Sequence, residues 1–148
     1  MDGNRIASLG HQAKVMSAED AARLIAPNST VGLSGFTAAG YPTAVPLALA
    51  ARIEAEREAG NPFKLRIWTG ASTGPELDGA LAKADGIEFR LPYNSDPTCR
   101  DKINRGQMEY FDMHLSQVAP AAWQGILGPL DTAIIQVTGI REDGGLRS

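Results

Sequence analysis

The chain of 148 residues, 43% of them hydrophobic, has the size and apolar content of one globular domain, large enough to bury about 70% of its unfolded surface without disulfides or a structural metal. Its 14 Lys and Arg against 17 Asp and Glu give a net charge of -3, which lacks the basic excess that phosphate neutralisation requires and excludes nucleic acid as an expected partner. A lone cysteine, Cys99, rules out an intrachain disulfide and a cysteine-paired zinc site.

Residues 1–16 mix charged and small side chains and lack the continuous apolar stretch of a secretory leader, and no later run is long enough to span a bilayer. A soluble, cytoplasmic protein without membrane association is expected. Ser17 followed by Asp20 forms a helix-capping pattern, and the helix it opens is predicted to reach Ala26 and stop at Pro27. Residues 30–34 read as a short buried strand that ends in the glycine-rich turn Ser34-Gly35-Phe36-Thr37-Ala38-Ala39-Gly40-Tyr41-Pro42. From Thr43, the spacing of Val45, Leu49 and Ile53 predicts an amphipathic helix that Gly60 terminates, with Pro46 tolerated in its first turn.

Residues 63–69 alternate like a strand, and a second loop, Gly70 to Pro75, opens a helix through about Ala84. Ile87 to Leu91 is a third strand, followed by the loop Tyr93 to Pro97, where Asp96 and Pro97 suit the cap and first position of a helix ending near Gly106. The apolar residues of 108–124 follow neither period and read as mixed helix and loop, before a final strand over 132–137. This rhythm predicts an α/β fold: an open, mainly parallel sheet with right-handed βαβ crossovers. In such a sheet the loops at 34–42, 70–75 and 93–97 leave the same edge, where ligands bind.

Gly35 and Gly40 have the spacing of a phosphate-binding loop, but Tyr41-Pro42 stand where that motif needs Lys and then Ser or Thr, so a nucleoside triphosphate site is unsupported. The dinucleotide fingerprint is absent too. What remains is a turn of small residues that admits an anion, a carboxylate, a thioester oxyanion or a phosphate, or that simply connects strand to helix. Cys99 falls inside a predicted helix and reads as a packed, inert thiol. His11 and His114 lack partners at metal-ligand spacing, so no metal site is expected. Glu109, Asp112 and His114 read as residues that fix a loop, and Trp68 and Trp123 as core or interface.

Taken whole, Gly35-Phe36, three residues, Gly40, one residue and Pro42 resembles the N-terminal signature of the class I CoA-transferases, with Ser34 in place of their first glycine. Ser34 itself, with Thr69 to Pro75, Asp78-Gly79, Tyr93 to Asp96, Glu109 to Asp112, His114 to Ala119 and Glu142 to Gly145, resembles the acetyl-CoA hydrolase/transferase branch, which includes succinyl-CoA:acetate CoA-transferases. The similarity covers nearly the whole chain. It implies the first half of a two-domain CoA-transferase, one domain over 1–148, with coenzyme A entering as acyl-CoA substrate and no permanently bound cofactor.

In the resembled family a glutamate attacks the acyl-CoA thioester to give an acyl-glutamyl anhydride, which CoA converts to a glutamyl-CoA thioester; a carboxylate such as acetate or succinate, or water, then takes the CoA or releases it. That glutamate lies in a second half that this chain lacks. Glu142 matches the end of the first half and is not the nucleophile, so no catalytic residue is expected in this chain and the chain alone is expected to be inactive. The resemblance implies a pocket wall built from Gly35, Phe36, Gly40, Ser72, Asn94 and Ser95, with Ser72 at the carboxylate site and Ser95 where relatives carry threonine. Each of the three polar residues could instead serve its own turn. A homo-oligomer is expected; the alternatives are a stand-alone small-anion-binding module and an interaction module.

Overall fold

The computed structural model describes residues 5–147. Residues 1–4, the start of the segment read against a secretory leader, and Ser148 lie outside the described residues. Five strands, β1 (Thr30–Leu33), β2 (Leu65–Trp68), β3 (Ile87–Leu91), β4 (Glu109–Tyr110) and β5 (Thr132–Ile134), form one parallel sheet in the order β4-β3-β2-β1-β5. The chain steps outward from β1 to β4 and then crosses the sheet to β5. Its direction therefore reverses between β1 and β5, the kind of point at which open α/β sheets form a crevice.

Among the described residues six α-helices accompany the strands: α1 (Leu9–Gln12), α2 (Ala18–Arg23), α3 (Ala44–Glu58), α4 (Ala80–Lys83), α5 (Pro97–Asn104) and α6 (Leu115–Trp123). Helices α2 to α5 pack side by side. Leu49 and Ile53 of α3, with Leu77 and Leu81 near α4, close the core over Val31, Leu33, Leu65, Ile67 and Ile87. Each such side chain contributes about 1.5–3 kcal/mol by leaving water. The predicted caps are present. The Ser17 hydroxyl accepts from the Asp20 N–H at 3.0 Å, and the Asp96 carboxylate accepts from the Thr98 and Cys99 N–H groups, each at 2.9 Å.

Several expected elements change in extent. Helix α2 ends at Arg23, short of Ala26, and Arg52 of α3 donates to the Ala22 and Ile25 carbonyls at 2.7 and 2.8 Å, satisfying groups that a longer helix would have paired. The single helix expected after Pro75 is a wide π turn (Pro75–Gly79) followed by α4, a geometry that often marks functional sites. Within 108–124 the structure resolves β4, too short to display alternation, and α6, whose first turn His114 caps by accepting from the Ser116 N–H at 3.3 Å. Strand β5 stops at Ile134 because the next amide available to β1, that of Gln136, donates to the Ser34 hydroxyl at 3.0 Å instead of extending the ladder. Unforeseen is an antiparallel hairpin, β6 (Gly139–Ile140) and β7 (Leu146–Arg147), against which Ile6 pairs.

At the carboxyl edge of the sheet lies a fully buried ion pair. Arg90 of β3 and Asp78 of the π turn are both 0% exposed. Arg90 Nε donates to Asp78 Oδ1 at 2.9 Å and Nη2 to Oδ2 at 3.1 Å, a two-pronged fork, while Nη2 also donates to the Ala71 carbonyl and Nη1 to that of Leu91. Oδ2 also accepts from the Thr73 N–H at 2.8 Å and from its hydroxyl at 2.7 Å. Removing one partner strands the other charge in the interior, so Arg90→Met is expected to lower stability by about 3–5 kcal/mol. The paired change Asp78→Asn with Arg90→Met should cost less than the sum of the two single changes. Urea unfolding of the four proteins checks both statements.

Candidate functional site

The loops after β1, β2 and β3 (residues 34–42, 70–75 and 93–97) stand together on one edge, and the second loop is the hub. The fork of Arg90 holds the Ala71 carbonyl, and Asp78 holds Thr73 on the other side. Ser72 is thereby fixed from both neighbours. Its hydroxyl oxygen meets the third loop: Ser95 N–H donates to it at 3.0 Å, and the Ser95 hydroxyl lies 2.7 Å away. Ser72 is 2% exposed, whereas Ser95 faces outward. Between these loops opens a cleft of about 320 Å³ whose wall includes Thr73, Gly74, Ser95, Asp96 and Thr98. Ser95 thus lines the cleft, and its hydroxyl meets the buried Ser72.

Asn94, 5% exposed, accepts from the Asp96 N–H at 2.8 Å through Oδ1, which shapes the turn into α5, while its Nδ2 has no partner among the described residues. Gly35 (φ +130°) lies beneath the second loop, and a Cβ on Gly70 would come within 2.7 Å of its carbonyl oxygen. Phe36 is 53% exposed and exchanges two backbone hydrogen bonds with Ala39, each of 3.0 Å, around Thr37 and Ala38, both at positive φ. Gly40 (φ +64°) passes its carbonyl to the Ser34 hydroxyl at 2.7 Å. Among the described residues no hydrogen bond joins Phe36 or Gly40 to Ser72, Asn94 or Ser95. The first loop therefore touches the site through Gly35 and through Tyr41, whose hydroxyl donates to Glu76 Oε2 at 2.6 Å. Sequence reasoning missed Tyr41, Glu76 and the Asp78–Arg90 pair; an arginine within a strand bounded by Ile87 and Leu91 was the signal that an acid partner must be near.

The other candidates take structural places. Cys99 is buried with its thiol 3.5 Å from the Asp78 carbonyl, and burial, reinforced by the charge of Asp78, pushes its pKa far above the usual thiol range. His11 pairs with the Ser8 hydroxyl at 2.9 Å, and His114 caps α6. Trp68 is buried, but Trp123 is 84% exposed, so the structure removes it from the core. Among the described residues no group of three or more His, Cys, Asp and Glu could hold a metal, and no helix is long and apolar enough to cross a membrane.

Two measurements follow from this geometry. Cys99 is expected to ignore a disulfide reagent in the native protein and to react fully once urea unfolds it, because the thiolate cannot form in place. The Tyr41–Glu76 bond has a defined pH window. The bond to Glu76 raises the Tyr41 phenol pKa, with burial and the Glu76 charge adding to it, and the same bond leads the lowering of the Glu76 pKa. Glu76, depressed in the folded state, contributes stability above the ordinary carboxylate range and loses it as pH falls through the depressed value; Tyr41, raised, contributes below the ordinary phenol range and loses it as pH rises through the raised value. In Glu76→Gln the ultraviolet titration of Tyr41, assigned by difference with Tyr41→Phe, should move down in pH.

Compared with known proteins, the chain matches the acetyl-CoA hydrolase/transferase N-terminal domain over residues 5–147. It is 43% identical over 140 residues to a succinyl-CoA:acetate CoA-transferase of Clostridium kluyveri, covering 95% of this chain and 26% of that protein. With a propanoyl-CoA:succinate CoA transferase of Escherichia coli it shares 40% identity over 129 residues, 87% of this chain and again 26% of the relative. The chain thus spans about a quarter of the length of these relatives. The crystal structure of RipA from Yersinia pestis shares the fold, with a TM-score of 0.59 and 23% identity over 81% of this chain and 28% of that one. Because the family match runs from one end of the described residues to the other, and the parallel sheet agrees with it, the chain belongs to the acetyl-CoA hydrolase/transferase family as its N-terminal domain.

Proposed function

We propose that this domain forms the carboxylate-binding wall of an enzyme that moves CoA between a short acyl-CoA and a small carboxylate such as acetate or succinate. The observation that carries this reading is the Ser72–Ser95 hydroxyl pair at the cleft. Ser72 accepts the Ser95 N–H, and because hydroxyl hydrogens rotate to suit their partners, Ser72 can donate to the Ser95 oxygen while Ser95 donates to a carboxylate in the cleft. Such a chain polarises the outer hydroxyl, so the terminal bond is stronger than that of an isolated serine. The fixed backbone on both sides of Ser72 spares the site reorganisation when charge develops.

The nucleophilic glutamate and the surfaces that hold the CoA moiety belong, on this reading, to the part of the protein beyond this domain. The hydroxyl pair binds and orients the carboxylate; it forms no covalent bond. The 148-residue chain alone is expected to transfer no CoA, while the full-length protein exchanges CoA between succinyl-CoA and acetate; robust turnover by the short chain sinks the proposal. In the full-length protein Ser95→Ala should raise the KM for the carboxylate about tenfold, the size of one hydrogen bond to a charged group, with a smaller rise for Ser72→Ala. Steady-state kinetics with the carboxylate varied at fixed acyl-CoA reads both effects.

A further inference from the structure

Tyr41 closes the glycine loop at its last turn before Pro42, and its ring packs against the core. Its hydroxyl reaches 35 residues along the chain to Glu76 Oε2 at 2.6 Å. Two positions are empty of side chain where this reach needs room. A Cβ on Gly74 would fall inside the Tyr41 hydroxyl, and a Cβ on Gly35 would stand 2.6 Å from the Tyr41 Cβ and 3.1 Å from Thr73 Cγ2. A phenol resting on the surface would need neither vacancy. Glu76 lies in the same π turn as Asp78, whose carboxylate pins Thr73, so the tether from Tyr41 ends on the element that fixes the backbone beside Ser72.

We propose that Tyr41 is a positioning residue: by passing over Gly74 to Glu76 it bolts the glycine loop to the second loop and sets where the Ser72–Ser95 pair stands. The inference rests on the carboxylate site proposed above. Without the bolt the first loop, strained by positive φ at Thr37 and Ala38, loses its side-chain anchor to the π turn. The hydroxyl pair then wanders relative to the cleft. Displacement of a group that orients substrate weakens the reaction without any loss of chemistry at the reacting atoms.

The test uses the full-length protein with Tyr41→Phe, which keeps the ring, with Glu76→Gln, and with Gly74→Ala, which leaves both partners intact but displaces the hydroxyl. Each should raise the KM for the carboxylate about fivefold while the KM for acyl-CoA and the Tm stay near wild type, and the Tyr41→Phe/Glu76→Gln double variant should be no worse than either single, since both remove one tether. Hydrogen exchange reads the bolt apart from activity: amides of residues 70–75 should exchange faster in Tyr41→Phe. An unchanged carboxylate KM, an equal rise in both KM values, or unchanged exchange overturns the positioning role while leaving the proposed function standing. A wild type with neither CoA transfer nor thioester hydrolysis overturns the proposed function, and the positioning role with it.

Discussion

The buried pair of Asp78 and Arg90 is the constraint from which the working edge of the sheet takes its shape. Two charges with no access to water carry a desolvation cost that only near-ideal geometry offsets, so each must be met by several partners. Here the partners come from two pieces of the edge, Ala71 and Thr73 in the second loop and Leu91 at the end of β3, while the backbone carbonyl of Asp78 meets the thiol of Cys99 in α5. The pair therefore does for the loops what a small core does for helices. It is weak ground for arguing extra stability, but it specifies one arrangement of the backbone around Ser72.

That arrangement explains why the wall of the site is made of small polar residues and glycines. A hydroxyl that must sit between two pinned neighbours cannot adapt by moving, so its surroundings must leave it space, and the close approach of Gly70 to the Gly35 carbonyl supplies part of it. The first loop contributes through contact with the second loop more than through its own exposed groups. Phe36 and Gly40, which the family signature brings forward, lie on the outer side of that contact. The chemistry that a carboxylate would meet comes from the second and third loops.

Much of this was legible in the residues. Strands β1 and β3, the α3 stripe of Leu49 and Ile53, and the Ser17 and Asp96 caps each follow from one local rule, and parallel order then forces their following loops onto one edge. Ser72, Asn94 and Ser95 were therefore placeable together before any coordinates. What escaped is what local rules do not encode. Strand β4 has two residues, too few for any period, and α6 carries Pro120 inside it, against the propensity of a helix. Asp78 and Arg90 sit 12 residues apart in elements of different period, and only the β2–β3 register brings the π turn over the strand. Likewise nothing in sequence separates Ser72, buried, from Ser95, exposed.

The same topology has a consequence for how the chain becomes structured. Strands β1 to β3 each pair with the next strand in the chain, but β5 pairs with β1 across about a hundred residues, as the bonds from Thr30 to Asp131 and from Gln136 to Ser34 show. Local βαβ units close cheaply, and the distant strand must wait for its long loop to be gathered. During synthesis one edge of β1 therefore stays open until the residues of β5 emerge. β1, an interior strand of the finished sheet, begins as an edge, with the exposure to wrong partners that open edges bring.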